Sequence, residues 1–205
     1  MKTSLIVLIG LFTFISFGQN LIVKGDSSSG LFSLGVRSTM SIFNDHAEER
    51  SGRGVGGQFR IQFARQINSD WFFDYINSSI GDYAYRTDYH IGWSVLYYPF
   101  PKDSFIKPYA LAGHCFDYTR IEDVSYSSNY DSRWSSAIQG GLGLHFNFSR
   151  RTDISLTGQY MMHLGNRIHA EMVNNELKFF EMTGASLEGH LLVNLSLNYK
   201  IGDLW

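Results

Sequence analysis

The C-terminal stretch Leu187–Trp205, LEGHLLVNLSLNYKIGDLW, carries Leu187, Gly189, Leu191, Val193, Leu195, Leu197, Tyr199 and Ile201 on one parity. The other parity holds Glu188, His190, Leu192, Asn194, Ser196, Asn198 and Lys200, all polar but one. Alternation with period two describes a β-strand whose two faces differ chemically. It leaves open whether the apolar face meets a protein core or lipid.

The same pattern recurs upstream. LFSLGVRSTMSIF sets Phe32, Leu34, Val36, Met40 and Ile42 against Ser33, Gly35, Arg37, Thr39 and Ser41, and VGGQFRIQFARQI sets Val55, Phe59, Ile61 and Phe63 against Gly56, Gln58, Arg60 and Gln62. WFFDYINSSI is a third, weakly patterned strand, and TDYHIGWSVLYYPF a fourth and clean one. KPYALAGHCFDYTR reads as a fifth, with a bulge expected; RWSSAIQGGLGLHFNF and TDISLTGQYMMHL follow, and the C-terminal stretch completes an even set of eight. NSD, PKDS and SRR join strands two to three, four to five and six to seven, whereas NDHAEERSGRG, IEDVSYSSNYDS and GNRIHAEMVNNELKFFEMTGAS join one to two, five to six and seven to eight. Tight turns at one end and long polar connections at the other match the periplasmic turns and extracellular loops of outer-membrane barrels.

Composition narrows the choice further. Among 205 residues the formal net charge is −2, which gives no global signal for nucleic acid. Only 18% of residues are charged while 16% are aromatic, an unusual balance for a water-exposed surface. The single cysteine, Cys115, excludes an intrachain disulfide. Residues 1–18 read as a signal peptide: Lys2 opens it, an apolar run too short to span a bilayer follows, and cleavage is expected between Gly18 and Gln19. Residues 19–30 then form a short N-terminal segment and 31–205 the barrel. No later stretch is long and apolar enough for a membrane helix, so residence in a membrane requires a closed barrel.

The polar parity decides between core and lipid. It is mostly Gly, Ser, Ala, Thr, Gln, Asn and His rather than the Lys and Glu of a wetted sheet, which suits a narrow, filled lumen. Aromatics gather near strand ends, at Tyr97, Tyr98, Phe100 and Phe105, at Phe146 and Phe148, and at Trp71, Phe72 and Phe73, as an interfacial girdle would. The expected fold is all-β, an eight-stranded antiparallel up-and-down transmembrane β-barrel.

RTDYHIGWSVLYYPF, KPYALAGHCFDY and NYKIGDLW resemble an outer-membrane β-barrel family of Bacteroidetes-type bacteria, and the layout resembles the small barrels of the OmpX and OmpA-transmembrane type. The resemblance implies residence in the outer membrane of a Gram-negative bacterium, contact with outer-membrane lipid, and recognition of the terminal Trp205 by the barrel-assembly machinery during insertion.

An eight-stranded barrel is just wide enough for side chains to fill, so an open pore is not expected. A polar lumen network is expected from Arg37, Arg60, Asp88, His90, Arg133, His145, Asp153, His163, Glu188 and His190. Within it His90, His163 and His190, with Asp88 and Glu188 two residues from imidazoles on the same faces, offer donors for a divalent transition metal, and His114 joins them if it points inward. A second alternative is a lipid A-modifying enzyme, which requires a serine beside a histidine. Position i+2 from His90, His114, His145, His163 and His190 holds Gly92, Phe116, Asn147, Gly165 and Leu192, and Ser94 lies roughly 13 Å from His90 along the strand. The chain therefore reads as non-enzymatic and without a cofactor, since GVGG at Gly54–Gly57 opens a strand rather than a phosphate-binding helix. Its expected role is structural, surface-interacting or accessory to an envelope complex. The outer connections carry adaptable side chains at Tyr126–Tyr130, and a short helix over HAEMVNNELKFFEM with an apolar face of Met172, Leu177, Phe179 and Phe180.

Overall fold

In a computed structural model, which describes residues 29–43, 51–101, 104–174, 176–182 and 189–205, the alternating segments become strands. The expected signal peptide with its expected Gly18–Gln19 junction, most of the 19–30 segment and Glu188 lie outside the described residues. The strands are β1 (Leu31–Phe43), β2 (Gly52–Ala64), β3 (Ile67–Ile80), β4 (Ala84–Tyr97), β5 (Ile106–Asp123), β6 (Tyr130–Asn147), β7 (Thr152–Leu164), β8 (Arg167–Val173), β9 (Glu176–Met182) and β10 (Gly189–Asp203). Eight of them close as β1-β10-β7-β6-β5-β4-β3-β2, every neighbouring pair antiparallel, while β8 and β9 form a separate hairpin.

The faces settle the question left by alternation. Outward positions such as Leu34, Val36, Val55, Phe63, Ile91, Val95, Leu142, Leu195 and Leu197 are exposed, whereas Arg37, Thr39, Asp74, Asp88, His90, Asp117, Asp153, His163, His190 and Asn198 are buried inside. A wall of uncovered apolar side chains around a buried polar interior is the inverse of a soluble barrel, and hydrocarbon is the solvent that suits it.

Register marks the membrane boundary. Tyr75, Tyr89, Tyr118 and Trp134 are direct cross-strand partners over β3 to β6, with ring centroids 5.1, 6.0 and 4.9 Å apart in turn. The next outward-facing row toward the long connections is polar throughout: Asn77, Thr87, Arg120 and Ser132. Aromatic rings below a polar row form the outer interfacial girdle. Phe105 with Phe146 and Phe148, and Phe63 with Trp205, line the other end. Of the expected girdle residues, Phe72 and Tyr98 turn into the lumen instead, and Trp71 stacks on Phe59 beside Trp93 within the belt.

Three further expectations are corrected, and the weakly patterned third strand is explained. The turn between β2 and β3 is Arg65–Gln66, and NSD belongs to β3, because Asn68 and Asp70 face the lumen, where Asp70 meets Arg60. β3 looked irregular because it is apolar on both faces, with Phe72, Ile76 and Ile80 buried inside and Trp71 and Phe73 exposed outside. β5 pairs with both neighbours without a register shift; shifts occur at Phe32/Ser33 and Gln62/Ala64. The expected helix is the β8–β9 hairpin, turning at Asn174 with φ 53°. Its Ile168, Ala170, Leu177 and Phe179 cover Ile80, Tyr83, Ala84 and Ile121 on the rim, and burial of that alternating face outweighs helix propensity.

Candidate functional site

Two polar networks fill the lumen around the apolar cluster of Phe72, Ile76, Cys115, Ala137, Met161 and Leu192. Phe72 fits inside because β4 places Gly92 beside it: a Cβ there would stand 2.7 Å from the Phe72 ring and 2.7 Å from the His114 carbonyl oxygen.

At the inner end Arg60 donates to both oxygens of Asp70, at 2.6 and 3.2 Å, and to Asp153 Oδ1 at 3.4 Å. The order of protons beside it follows from its partners. Asn68 Nδ2 donates to the Tyr98 hydroxyl at 2.8 Å, leaving the Tyr98 O–H to donate to His145 Nε2 at 2.8 Å. His145 Nδ1–H then donates to Ser155 at 2.6 Å, and Ser155 to Asp153 Oδ1 at 3.2 Å. Asn198 donates to Asp153 at 2.9 Å and accepts from Gln58 at 2.6 Å, and Tyr109 stacks on His145 at 4.3 Å. Above this layer a cavity of about 20 Å³, lined by Arg37, Gln58, Asp70 and Tyr109 among others, has room for about one water.

At the outer end the register gathers His90 from β4, Asp117 from β5, His163 from β7 and His190 from β10. Asp117 Oδ1 lies 3.2 Å from His90 Nε2, and Oδ2 lies 3.1 Å from His163 Nδ1. His163 Nε2 faces His190 Nε2 at 3.3 Å, and His190 Nδ1 faces the Ser41 hydroxyl at 3.1 Å. Arg37 meets Asp74 at 3.0 Å, and Arg86 meets Asp88 at 3.0 Å. Gly56 makes room for the first pair, since a Cβ there would collide with Asp74 Oδ1.

Of the expected network, Arg37, Arg60, Asp88, His90, His145, Asp153, His163 and His190 are buried in the lumen. Arg133 instead sits at the outer mouth, where it donates to the Asn166 carbonyl. Of the proposed metal donors, the three imidazoles converge, but Asp88 is held by Arg86 and the carboxylate among the imidazoles is Asp117. Among the described residues no three His, Cys, Asp or Glu side chains form a group able to hold a metal ion. Asp117, Asp74, Asp70 and Tyr98 were missed. The signal for Asp117 was available, since it shares parity with Tyr109, Leu111 and Cys115, but that parity is too apolar to read as a lumen face.

His114 does not join this group. It is the cross-strand partner of Trp93 and Ile138 and therefore faces lipid, where its Nε2 lies 2.5 Å from the Ser136 hydroxyl and its ring packs edge-on to Phe116 at 4.9 Å.

No protein-family model matches the sequence, and no curated protein matches it. Solved structures do match. Neisserial surface protein A (NspA) superposes with a TM-score of 0.58 at 12% identity, covering 85% of this chain and 99% of the other. The outer membrane protein OprG from Pseudomonas aeruginosa gives 0.56 at 14%, covering 87% and 99%. A major outer membrane protein from Thermus thermophilus gives 0.55 at 8%, covering 82% and 98%. At these identities the likeness is one of fold. This chain has the fold of the small eight-stranded outer-membrane β-barrels, and its apolar belt sets that fold in lipid.

Proposed function

We propose that this barrel is a non-conducting surface protein of the outer membrane of a Gram-negative bacterium, whose extracellular rim docks a partner in the envelope or at the cell surface. The observation that carries the reading is the β8–β9 hairpin. It is fastened to the rim by its buried face and by Asn129 Nδ2 donating to the Leu177 carbonyl at 3.2 Å, yet it leaves Met172 and Phe180 exposed, with Tyr126 exposed on the β5–β6 connection. Rigidly held apolar and aromatic groups facing water favour a protein contact. The filled lumen supports the absence of a pore.

A photo-crosslinking residue at Phe180 or Tyr126, placed in cells that make the protein, tests this reading. One discrete crosslinked species, lost when Met172 and Phe180 are both changed to Ser, is expected, together with no step conductance in planar bilayers. A steady unitary conductance, or no crosslinked species from either position, contradicts it.

A further inference from the structure

Two rows of the lipid-facing wall lie directly below the Tyr75–Tyr89–Tyr118–Trp134 girdle. The first runs Phe73, Ile91, Phe116, Ser136, Leu164 and the second Trp71, Trp93, His114, Ile138, Met162. Eight of these ten positions are apolar or aromatic, and the two polar ones touch. A polar side chain facing hydrocarbon is costly, which makes an intramembrane ionisable residue a functional position by default.

We propose that Ser136 and His114 form a nucleophile–base dyad that cleaves carboxylic esters of outer-leaflet lipids. With the imidazole proton on Nδ1, His114 Nε2 accepts the Ser136 O–H across 2.5 Å, the arrangement that activates a serine. Phe116 edges the ring and limits its rotation. Depth matches the substrate. Ser136 is two residues below Trp134, about 7 Å along the strand, and the polar Thr87–Arg120–Ser132 row begins just above. Acyl esters lie just beneath the headgroups where such a girdle sits. The wall also has room for an acyl chain below the dyad. Ala112 pairs with Gly140, whose added Cβ would meet nothing nearer than 3.8 Å, and at Gly158 it would meet nothing within 4 Å.

In the reaction Ser136 Oγ bonds to the ester carbonyl carbon as its proton passes to His114 Nε2. The carbon–oxygen bond to the leaving alcohol breaks, and His114 returns that proton to the alcohol, leaving an acyl-serine. Water entering from the polar row attacks the acyl-serine with His114 as base, releasing fatty acid and restoring Ser136. Ester and water become alcohol and acid, with no other reactant. Among the described lipid-facing positions of β4 to β7 below the Tyr118 row there is no carboxylate to orient the imidazole, so turnover is slow and the covalent step is the sensitive readout. No single strand carries this pair, since His114 stands on β5 and Ser136 on β6.

The test uses the full mature barrel, folded in detergent and in vesicles, with folding of each variant checked by heat-modifiable gel mobility. A long-chain fluorophosphonate is expected to add once, at Ser136, by intact mass and peptide mapping. Ser136→Ala abolishes the adduct, and both His114→Asn and the apolar His114→Phe slow its formation by about 100-fold or more. Fatty-acid release is then measured in two arms, vesicles of a diacyl glycerophospholipid and vesicles carrying a hexa-acylated saccharide lipid. Release above the Ser136→Ala level in either arm supports the proposal and identifies the lipid. An unlabelled Ser136 in the folded barrel, labelling equal in the His114 variants, or no release in both arms overturns it.

Discussion

At the inner end of the lumen Arg60 grips Asp70 through two N–H donors, and the relay from Asn68 through Tyr98, His145 and Ser155 ends on Asp153, so each proton of the relay finds an acceptor. At the outer end similar residue types are buried as deeply and matched less well. Arg37 Nε lies 3.0 Å from Asp74 without hydrogen-bond geometry, and both ring nitrogens of His90 and Oδ1 of Asp117 lack a hydrogen-bond partner. Buried polar groups left in that state cost free energy, so the two networks hold the barrel unequally. The inner one, where Asn68 Oδ1 is the one described side-chain atom of the relay left without a partner, locks the fold. The outer one satisfies charge by proximity and leaves donors and acceptors idle beneath the extracellular rim.

Single truncation of the inner lock has the largest expected effect. Arg60→Ala leaves Asp70 and Asp153 buried without their guanidinium, and loses about 3–5 kcal/mol of folding free energy, read as a lower urea midpoint for unfolding from detergent. A loss below about 1 kcal/mol would show that the inner network is not the lock. Tyr98→Phe removes one hydroxyl that both accepts from Asn68 and donates to His145, and costs about 1–3 kcal/mol in the same measurement. The outer network gives the opposite result. His90→Leu, Asp117→Leu and His163→Leu combined replace the imperfect buried cluster by apolar groups, leaving neither imidazole without its carboxylate, and change stability by less than about 1 kcal/mol, or raise it. A loss as large as that of Arg60→Ala would erase the contrast between the two ends.

Much of this was legible in the sequence, for a physical reason. In lipid both faces of a strand are under chemical selection, so β4 and β10 write inside and outside in alternate letters. Legibility failed where one face broke that rule. β3 fills the lumen with Phe72 and Ile76, and β5 carries Asp117 on a parity shared with Tyr109, Leu111 and Cys115. It failed again at the hairpin, where burial against Ile80 and Ile121 overrides local helix preference. The lumen imidazoles could be listed from parity alone. Their partner Asp117, and the meeting of His114 with Ser136, depend on register between strands, which no single strand records.

Tryptophan depth tests most directly whether the apolar face meets hydrocarbon. Trp71 and Trp93 stand side by side, 6.4 Å apart, in the second row below the outer girdle, whereas Trp134 lies in the girdle and Trp205 at the inner end. In a Trp134→Phe, Trp205→Phe barrel reconstituted with lipids brominated at successive acyl carbons, emission should be quenched most strongly by bromine near mid-chain. Emission indifferent to bromine position, from a protein that stays monodisperse in buffer without detergent, would contradict the account.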